Sequence, residues 1–229
     1  MALLGKAAMV LSFDVVPDAI EEHDDWHTRE HLPERLSIPG FLRGSRWVAA
    51  SGHPRYFVMY EVAELGTLAS AAYLERLNHP TPWTTKMMTH YRGMARGLCR
   101  VTASFGLGVG HAGLVIRFKP GPGRESALRE WLVEKELPGL SSKAGLGGAH
   151  LFEAVLAPPS TNEQRIRGND AAVHWTLLVS GYGAEKVALL AEKELSAETL
   201  EKHGATDRAA GIYRMEYSLT EREVSPRQF

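Results

Sequence analysis

Cysteine is almost absent from this chain, which has 229 residues and a single thiol, Cys99. One cysteine cannot form an intrachain disulfide, and secreted proteins of modest size commonly depend on such bridges. The rest of the composition, 44% hydrophobic and 23% charged, is enough for a core that needs no disulfide or metal to fold. The sequence therefore predicts a protein of the reducing cytoplasm.

Long apolar runs and an excess of one charge are also missing. No stretch approaches the roughly 20 apolar residues of a membrane-spanning helix. The short apolar run from Ala7 to Phe13 ends at Asp14 with no small-residue cleavage site after it, which favours a first strand over a signal peptide. The formal net charge is only -1, without the basic stripe that binds phosphate backbones. We expect neither nucleic acid nor a membrane as partner.

The sequence contains one order of predicted strands and helices that occurs twice. Strand-like runs occur near residues 7–15, 45–51, 55–62 and 98–105, with helical patterns near 19–36 and 66–77. The same β-α-β-β-α-β order returns with strands near 112–119, 147–157, 173–182 and 211–219 and helices near 124–137 and 184–202. Two units are predicted, residues 1–107 and residues 108–229, with the boundary in the glycine-rich stretch 105–110.

Individual residues repeat as well, at a constant offset of 105 positions. The tryptophan, leucine and proline of residues 26–33 (WHTREHLP) coincide with those of residues 131–138 (WLVEKELP). The same offset carries residues 40–41 (GF) onto 145–146 (GL) and Trp47 onto Phe152. A fixed register over this length indicates an internal duplication.

A β-α-β-β-α-β unit forms a four-stranded antiparallel sheet with both helices on one face, which leaves the other face apolar and uncovered. A second copy supplies the cover. The predicted fold class is therefore α+β, with two ferredoxin-like units whose sheets face each other and form a dimeric α+β barrel within one chain. The stretch from Pro158 to Asp170 is predicted to be an inserted surface loop of the second unit.

Residues 25–33 (DWHTREHLP) and 38–41 (IPGF) resemble the EthD-like branch of the dimeric α+β barrel superfamily. The pattern is a tryptophan, a histidine five residues later, a proline and a Pro-Gly-Phe turn, here Trp26, His31, Pro33 and residues 39–41. The resemblance covers most of the first unit and, through the offset, implies a tandem duplication. It implies the barrel fold and a pocket for a small, mostly apolar substrate. Relatives include cofactor-free oxygenases, isomerases, polyketide cyclases, dehydratases and haem enzymes, so the fold alone does not select a reaction.

Three histidines, His23, His27 and His31, recur every four residues and form one stripe on the predicted first helix. The offset maps them onto Leu128, Leu132 and Glu136. The two leucines are predicted to face the sheet of the second unit, so the histidines should face the sheet of the first. Imidazole exchanges protons near neutral pH. The first unit is therefore predicted to carry the chemistry and the second to be mainly structural.

Two other interpretations of the histidine stripe remain open at this stage. The imidazoles are either partly exposed or paired with a carboxylate such as Asp24 or Glu30. Histidines four residues apart also chelate zinc or iron in some proteins. The chain has no His-Glu-x-x-His motif, and a third ligand would have to come from a distant residue, namely His53, His79 or His90.

Residues 78–92 form a connector rich in proline and aromatic residues, which suits a lid over a pocket. Its Trp83, Met87 and Met88 are candidate apolar walls, and its His90, Tyr91 and Arg92 are candidate polar anchors. The alternative is that the apolar residues simply plug the end of the sheet. On the first helix Arg29 is a candidate for holding a carboxylate or phenolate, with a solvated side chain as the alternative.

The sequence thus predicts a small-molecule enzyme that uses helix histidines for acid–base chemistry, as a lyase, cyclase, dehydratase or isomerase. The expected substrate is a small aromatic or polyketide-like molecule, and no cofactor or metal is expected. Two other functions stay open: a cofactor-free or haem-dependent oxygenase, and a non-catalytic small-ligand-binding protein. The oligomeric state is open too. The candidate catalytic residues are His31, His27, Tyr91 and His90, and the candidate substrate-binding residues are His23, Trp83, Met87 and Arg29.

Overall fold

The computed structural model of the protein describes residues 2–157 and 160–224. The strands are β1 (Ala7–Val15), β2 (Phe41–Gly52), β3 (Tyr56–Val62), β4 (Tyr91–Gly106), β5 (Ala112–Pro120), β6 (Leu146–Leu156), β7 (Ala171–Ala172), β8 (Trp175–Gly181) and β9 (Ala205–Thr220). The helices are α1 (Ile20–Trp26), α2 (Leu32–Leu36), α3 (Ala71–Asn78), α4 (Pro82–Met88), α5 (Glu125–Glu130), α6 (Leu137–Leu140), α7 (Asn162–Arg167), α8 (Ala184–Leu190) and α9 (Ala197–Lys202).

Eight strands close into an antiparallel barrel. The strand order is β4-β1-β3-β2 in the N-terminal part and β6-β8-β5-β9 in the C-terminal part. Strand β2 pairs with β9 and strand β4 pairs with β6, so each sheet continues into the other at both edges. Closure leaves no unpaired barrel edge to attract another chain. Strands β4 and β9 reach 16 residues each, longer than their apolar patterns predict, because each pairs with strands of both parts.

The hydrophobic residues pack into three clusters, one inside the barrel and one under the helices of each part. Trp47 and Phe57 of the N-terminal sheet meet Phe152 and Leu178 of the C-terminal sheet in the inner cluster. The inner faces of the two sheets therefore face each other, as the sequence predicts. Since both faces of strand β1 are covered, its sequence is an almost unbroken apolar run.

The first helical segment is continuous from α1 to α2 through a π-helical turn at His27–His31. The Leu32 N–H bonds to the His27 carbonyl, five residues back. Pro33 follows at once; a proline clashes with the carbonyl four residues before it, and a wider turn relieves that clash. The C-terminal part has a π-helical turn at Trp131–Glu136, also just before a proline.

The structure corrects three expectations about connectors. The stretch 78–92 is not only a connector, because it contains α4, which packs against α1. The predicted helix over 184–202 is broken into α8 and α9. The stretch from Pro158 to Asp170 is not a surface loop where the structure describes it: it contains α7, with Thr161 and Glu163 buried. Pro158 and Pro159 lie outside the described residues.

The structure also bears on the expected absence of a membrane span and on the environment of the single cysteine. Within residues 2–157 and 160–224, no helix has the length and apolar character that crossing a membrane requires. Cys99 is buried, and burial raises the pKa of its thiol to about 12.

Candidate active site

A small cavity lies between the α1–α2 helical segment and the outer face of the N-terminal sheet. Its volume is about 30 Å³, room for ordered water but not for an organic molecule. The walls come from the helical segment, from strands β1, β3 and β4, and from helices α3, α4 and α7. The polar residues among them are His27, His31, Arg35, Tyr60, Tyr73, Tyr91, Arg96, Glu163 and Arg167.

All three histidines of the stripe face inward. His23, His27 and His31 are 0%, 2% and 7% exposed, and successive ring centroids are 5.5 and 5.7 Å apart. Their counterparts at the 105-residue offset, Leu128 and Leu132, are fully buried in the C-terminal core. The prediction that this stripe faces the sheet is confirmed, and the partly exposed arrangement is wrong.

His23 has partners on both ring nitrogens. Its Nδ1 lies 3.2 Å from an Asp24 carboxylate oxygen, and its Nε2 lies 3.3 Å from the Tyr91 hydroxyl. A carboxylate only accepts, so Nδ1 carries the proton and Nε2 accepts from Tyr91. Burial lowers the pKa of His23, and the hydrogen bond from Nδ1 to Asp24 opposes that effect. Both ring nitrogens of His23 are therefore engaged, one of them with the Tyr91 hydroxyl.

His27 is held in the opposite tautomer. Its Nδ1 lies 3.5 Å from Nη1 of Arg46, and a guanidinium only donates, so this nitrogen accepts. The proton is then on Nε2, which faces the Tyr60 hydroxyl at 3.4 Å. Arg46 is anchored in turn by hydrogen bonds to the Asp24 carbonyl and the Thr28 hydroxyl, both 3.0 Å. Burial lowers the pKa of His27 well below its ordinary value, and the charge of His23 adds to this.

His31 differs from His23 and His27 because one of its ring nitrogens is not hydrogen-bonded within the described residues. Its ring packs against Trp26 with centroids 4.4 Å apart and borders the cavity. The Nδ1 atom is buried and has no hydrogen-bond partner among the described residues. Burial lowers the pKa of His31 well below its ordinary value, and the nearby charge of Arg35 lowers it further. At neutral pH the imidazole is uncharged and able to accept a proton.

The phenols around the cavity are uncharged as well. Burial raises the pKa of Tyr60 and of Tyr91 well above 10, and it also raises that of Tyr73. A neutral phenol donates a hydrogen bond to an oxygen or nitrogen of a ligand. The cavity thus combines uncharged proton acceptors on the helix with uncharged donors on the strands.

Residues 160–172, which we name the cap segment, comprise α7 and β7 and border the cavity through Glu163 and Arg167. Strand β7 pairs in parallel with Ala95 and Arg96 of β4. Asn162 bonds to the end of α3 through the side-chain and carbonyl oxygens of Asn78. A segment of the C-terminal part therefore covers the cavity of the N-terminal part.

Ion pairs under the cap segment are almost completely removed from water. Arg35 donates to Glu34 at 2.9 Å and to Glu163 of the cap segment. Asp170 lies 3.0 Å from Arg96 and accepts two hydrogen bonds from Arg167. These six side chains are at most 4% exposed. Buried ion pairs of this kind hold the segment in one position, because breaking one leaves an uncompensated charge.

Four of the predicted site residues lie elsewhere. The side chain of Arg29 is 70% exposed and pairs with Asp25, because the residue lies on the outer side of the helix. Trp83 is half-buried and donates to Glu22, and Met87 packs in the core behind the cavity. His90 is half-buried at the end of β4 and does not border the cavity. Of the predicted catalytic residues, the structure brings together His31, His27 and Tyr91.

The sequence contained a signal for one residue that was missed. Arg35 continues the four-residue spacing of the histidines, and the offset maps it onto Leu140, which is fully buried. The same argument that turned the histidines inward applies to this arginine. The sequence of the strand around Tyr60 does not show whether this residue lies on the sheet face that packs against the helix. Glu163 carried no sequence signal, because its role depends on how the two parts fold together.

The geometry does not fit a three-ligand metal site. Among the residues that the structure describes, no group of three or more His, Cys, Asp or Glu side chains is placed to hold a metal ion. His23 and His27 use their nitrogens for Asp24, Tyr91, Arg46 and Tyr60. That the reaction needs neither a metal nor a haem stays our prediction.

Comparison with known proteins supports the fold. No family model matches the chain, and no curated protein sequence matches it. Among solved structures, an anthrone oxidase-like protein superposes with a TM-score of 0.66 at 9% identity, over 100% of this chain and 99% of that one. A candidate monooxygenase from Fusobacterium nucleatum gives 0.63 at 8% identity, over 95% and 96%. One from Lactobacillus acidophilus gives 0.58 at 9% identity, over 94% and 96%.

These identities establish likeness of fold only. The closed eight-stranded barrel described above has the same fold as these structures. The barrel fold is thus confirmed as α+β. Membership of the EthD-like branch stays a prediction.

Proposed function

We propose that the protein is a small-molecule enzyme in which His31 abstracts a proton from a small aromatic or polyketide-like substrate. The observation that carries this proposal is that His31 borders the cavity and that its buried Nδ1 atom has no partner among the described residues. Buried polar atoms without a partner are rare in folded proteins and call for an explanation. A substrate proton is the partner that we assign to it.

The electrostatics limit which protons this histidine removes. Its pKa is lowered, mainly by burial, so the neutral form is available but is a weak base. A weak base removes only an acidic proton efficiently. Such protons occur on phenols and on carbon atoms flanked by carbonyl or aryl groups. Tyr60 accepts from His27 and keeps its own hydroxyl proton, which supplies a hydrogen bond to the oxygen on which charge develops. The Tyr91 hydroxyl donates to His23 and lines the same cavity.

Return of the proton to a different atom gives isomerisation, and loss of a leaving group gives the lyase, cyclase or dehydratase reaction. None of these steps needs an organic cofactor. The small substrate is the partner that we propose for this cavity, with no nucleic acid or membrane.

The second candidate function is a cofactor-free oxygenase, favoured by the similarity to an anthrone oxidase-like protein and to two candidate monooxygenases. Proton abstraction is again the first step. The carbanion then reduces dioxygen, and an activated methylene and O₂ become a carbonyl and water, so two hydrogens and one oxygen atom balance as H₂O. A test must therefore separate proton abstraction from oxygen uptake.

We also propose that the chain is a tandem duplication of one EthD-like unit, with residues 1–107 and residues 108–229 as the copies. Both parts have the β-α-β-β-α-β order, apart from the added cap segment. Both have a π-helical turn before a Leu-Pro pair, at positions that match through the 105-residue offset. The N-terminal copy carries the histidines and the C-terminal copy carries leucines, which supports an active and a structural half.

Anthrone is a suitable probe because its methylene protons are acidic and it carries no charge. We expect the protein to catalyse exchange of these protons with deuterium in anaerobic D₂O, followed by NMR. His31→Gln should slow exchange by roughly 10²–10⁴-fold, the usual contribution of one general base. The matched control is Glu136→Gln, the equivalent position of the C-terminal half, where burial raises the carboxyl pKa and which does not border the cavity that holds His31.

The outcomes separate the candidates. Exchange without oxygen uptake in air supports the isomerase or lyase, and stoichiometric O₂ consumption supports the oxygenase. Saturable binding of anthrone without exchange indicates a binding protein. A Soret band in the purified protein indicates haem. Equal loss of exchange in the His31 and Glu136 variants contradicts the assignment of chemistry to the N-terminal half.

A further inference from the structure

Arg35 lies at the inner end of the histidine stripe and has a carboxylate on either side. Its Nη1 donates to Glu34, the neighbouring residue on the same helix, at 2.9 Å. Its Nη2 donates to Glu163, which is 128 positions away in the cap segment. The guanidinium borders the cavity and is only 1% exposed. One of its two carboxylate partners thus belongs to the permanent wall and the other to the cap segment.

The buried charges balance only when the cap segment is in place. The wall contributes the guanidiniums of Arg35 and Arg96 and the single carboxylate of Glu34, so it carries one excess positive charge. The cap segment contributes two carboxylates, Glu163 and Asp170, and one guanidinium, Arg167, so it carries one excess negative charge. Displacing the segment leaves a positively charged pocket.

A substrate needs more room than the cavity provides, because the cavity has about 30 Å³, whereas a benzene ring needs on the order of 150 Å³. The cap segment is the wall that the C-terminal part contributes, and an aromatic ligand that enters under it moves the Glu163 side chain. Arg35 then keeps Glu34 on Nη1 but loses the acceptor of Nη2, and a buried donor without an acceptor is unfavourable. The ligand that restores the balance is an anion, and a carboxylate matches the geometry that the guanidinium already accepts from glutamate.

We propose that Glu163 occupies the subsite of a substrate carboxylate, and that the natural ligand is an aromatic carboxylate that replaces Glu163 on Arg35. This inference rests on the proposed function, since it specifies the substrate class for the same cavity. Glu34 keeps Nη1 engaged, so the guanidinium stays oriented while Nη2 exchanges one carboxylate for another. Asp170 retains Arg167 as its partner when the segment moves, because both belong to it. Arg35 fixes the ligand's orientation, and His31 on the preceding helical turn faces the ring.

The test compares benzoate with its uncharged isostere benzamide by titration calorimetry on the full chain. Glu163→Gln removes the internal competitor for Arg35, so we expect benzoate to bind about tenfold more tightly than to the wild type, the scale of one charge-assisted hydrogen bond. Benzamide should bind both proteins equally. The matched control is Glu153→Gln, which breaks the two-bond pair with Arg129 away from the cavity and should leave benzoate affinity unchanged.

A second measurement, the melting temperature, tests the proposal even when Glu163→Gln is less stable than the wild type. The Glu163→Gln protein should have a lower melting temperature than the wild type, and saturating benzoate should raise it by more than it raises that of the wild type. The double variant Arg35→Gln/Glu163→Gln should lose the preference for benzoate over benzamide. Equal benzoate affinity in the wild type and Glu163→Gln, or no benzoate binding to either, overturns the proposal. Exchange of anthrone protons does not depend on a carboxylate and would survive that result.

Discussion

One stripe of side chains on the first helical segment distinguishes the N-terminal half of this protein from the C-terminal half. His23, His27, His31 and Arg35 occupy the positions that hold Leu128, Leu132, Glu136 and Leu140 in the other half. Both stripes face a sheet, so the substitution exchanges packing for titratable groups without moving the backbone. The imidazoles remain uncharged because their burial opposes protonation, and their partners fix which nitrogen carries the proton in His23 and His27.

The lowering of a histidine pKa by burial can also be measured at a fourth buried histidine, His150 on β6. It is fully buried, its Nδ1 lies 3.0 Å from the Ser104 hydroxyl, and burial lowers its pKa to about 4. In the unfolded chain the imidazole takes up a proton near pH 6.5. Between pH 6.5 and about 4 the unfolded state therefore binds more protons than the folded state, and stability falls as the pH falls.

We expect this histidine to cost about 2 kcal/mol of unfolding free energy on going from pH 7.5 to pH 5. Urea unfolding at the two pH values measures it. In His150→Gln no imidazole titrates at this position, so the loss of stability between the two pH values should be smaller by that amount. Identical losses in wild type and variant would show that His150 does not retain its low pKa in the folded protein.

Among the elements, the cap segment is the one whose function could not be read from its own sequence. It looks like a polar insertion, but α7 buries Thr161 and Glu163 against the opposite half. The two ends of α7 are defined locally: the Thr161 hydroxyl accepts from the Gln164 N–H, and Gly168 follows the last turn with a φ of 95°. The helix is therefore encoded locally, but its docking site is not.

Thr161→Ala tests how firmly α7 is held. Loss of an N-cap costs about 1 kcal/mol, which corresponds to about fivefold more frequent local opening. Amide hydrogen exchange of residues 162–167 should accelerate by that factor, while β8 remains protected. The matched control is Ser196→Ala, which removes the N-cap of α9 and should accelerate exchange only in residues 197–202. Acceleration of the whole C-terminal half by Thr161→Ala would contradict local opening.

At the scale of the molecule, the two sheets share an interior and both edges. Trp47 of β2 crosses the barrel to β5, where Gly113 leaves space for its ring: a Cβ at that glycine would lie 2.9 Å from it. The indole N–H donates to Ser45 at 3.0 Å. Since neither sheet can lose its partner without exposing this interior, the two halves should unfold together.

Trp47→Ala should lower the free energy of unfolding by about 3–5 kcal/mol, the cost of truncating a fully buried tryptophan. Urea unfolding followed by circular dichroism and by hydrogen exchange in β1 and β8 should show one coincident transition in the wild type and the variant. The surface control Leu107→Ala, at a side chain 84% exposed, should change stability by no more than about 0.5 kcal/mol. Separate transitions for β1 and β8 would contradict a shared core.

The sequence by itself determined the order of the eight barrel strands along the chain, the α+β class, the inward stripe and the position of His31, because each depends on periodicity or on the 105-residue offset. Element ends were less well defined: β4 and β9 run longer than predicted because their length depends on pairing across halves. Only the tertiary structure placed Arg29, Trp83 and His90 away from the cavity. It also brought Glu163 onto Arg35 across 128 positions. A contact between distant segments leaves no periodic trace in either one, so its partners become visible only once the chain has folded.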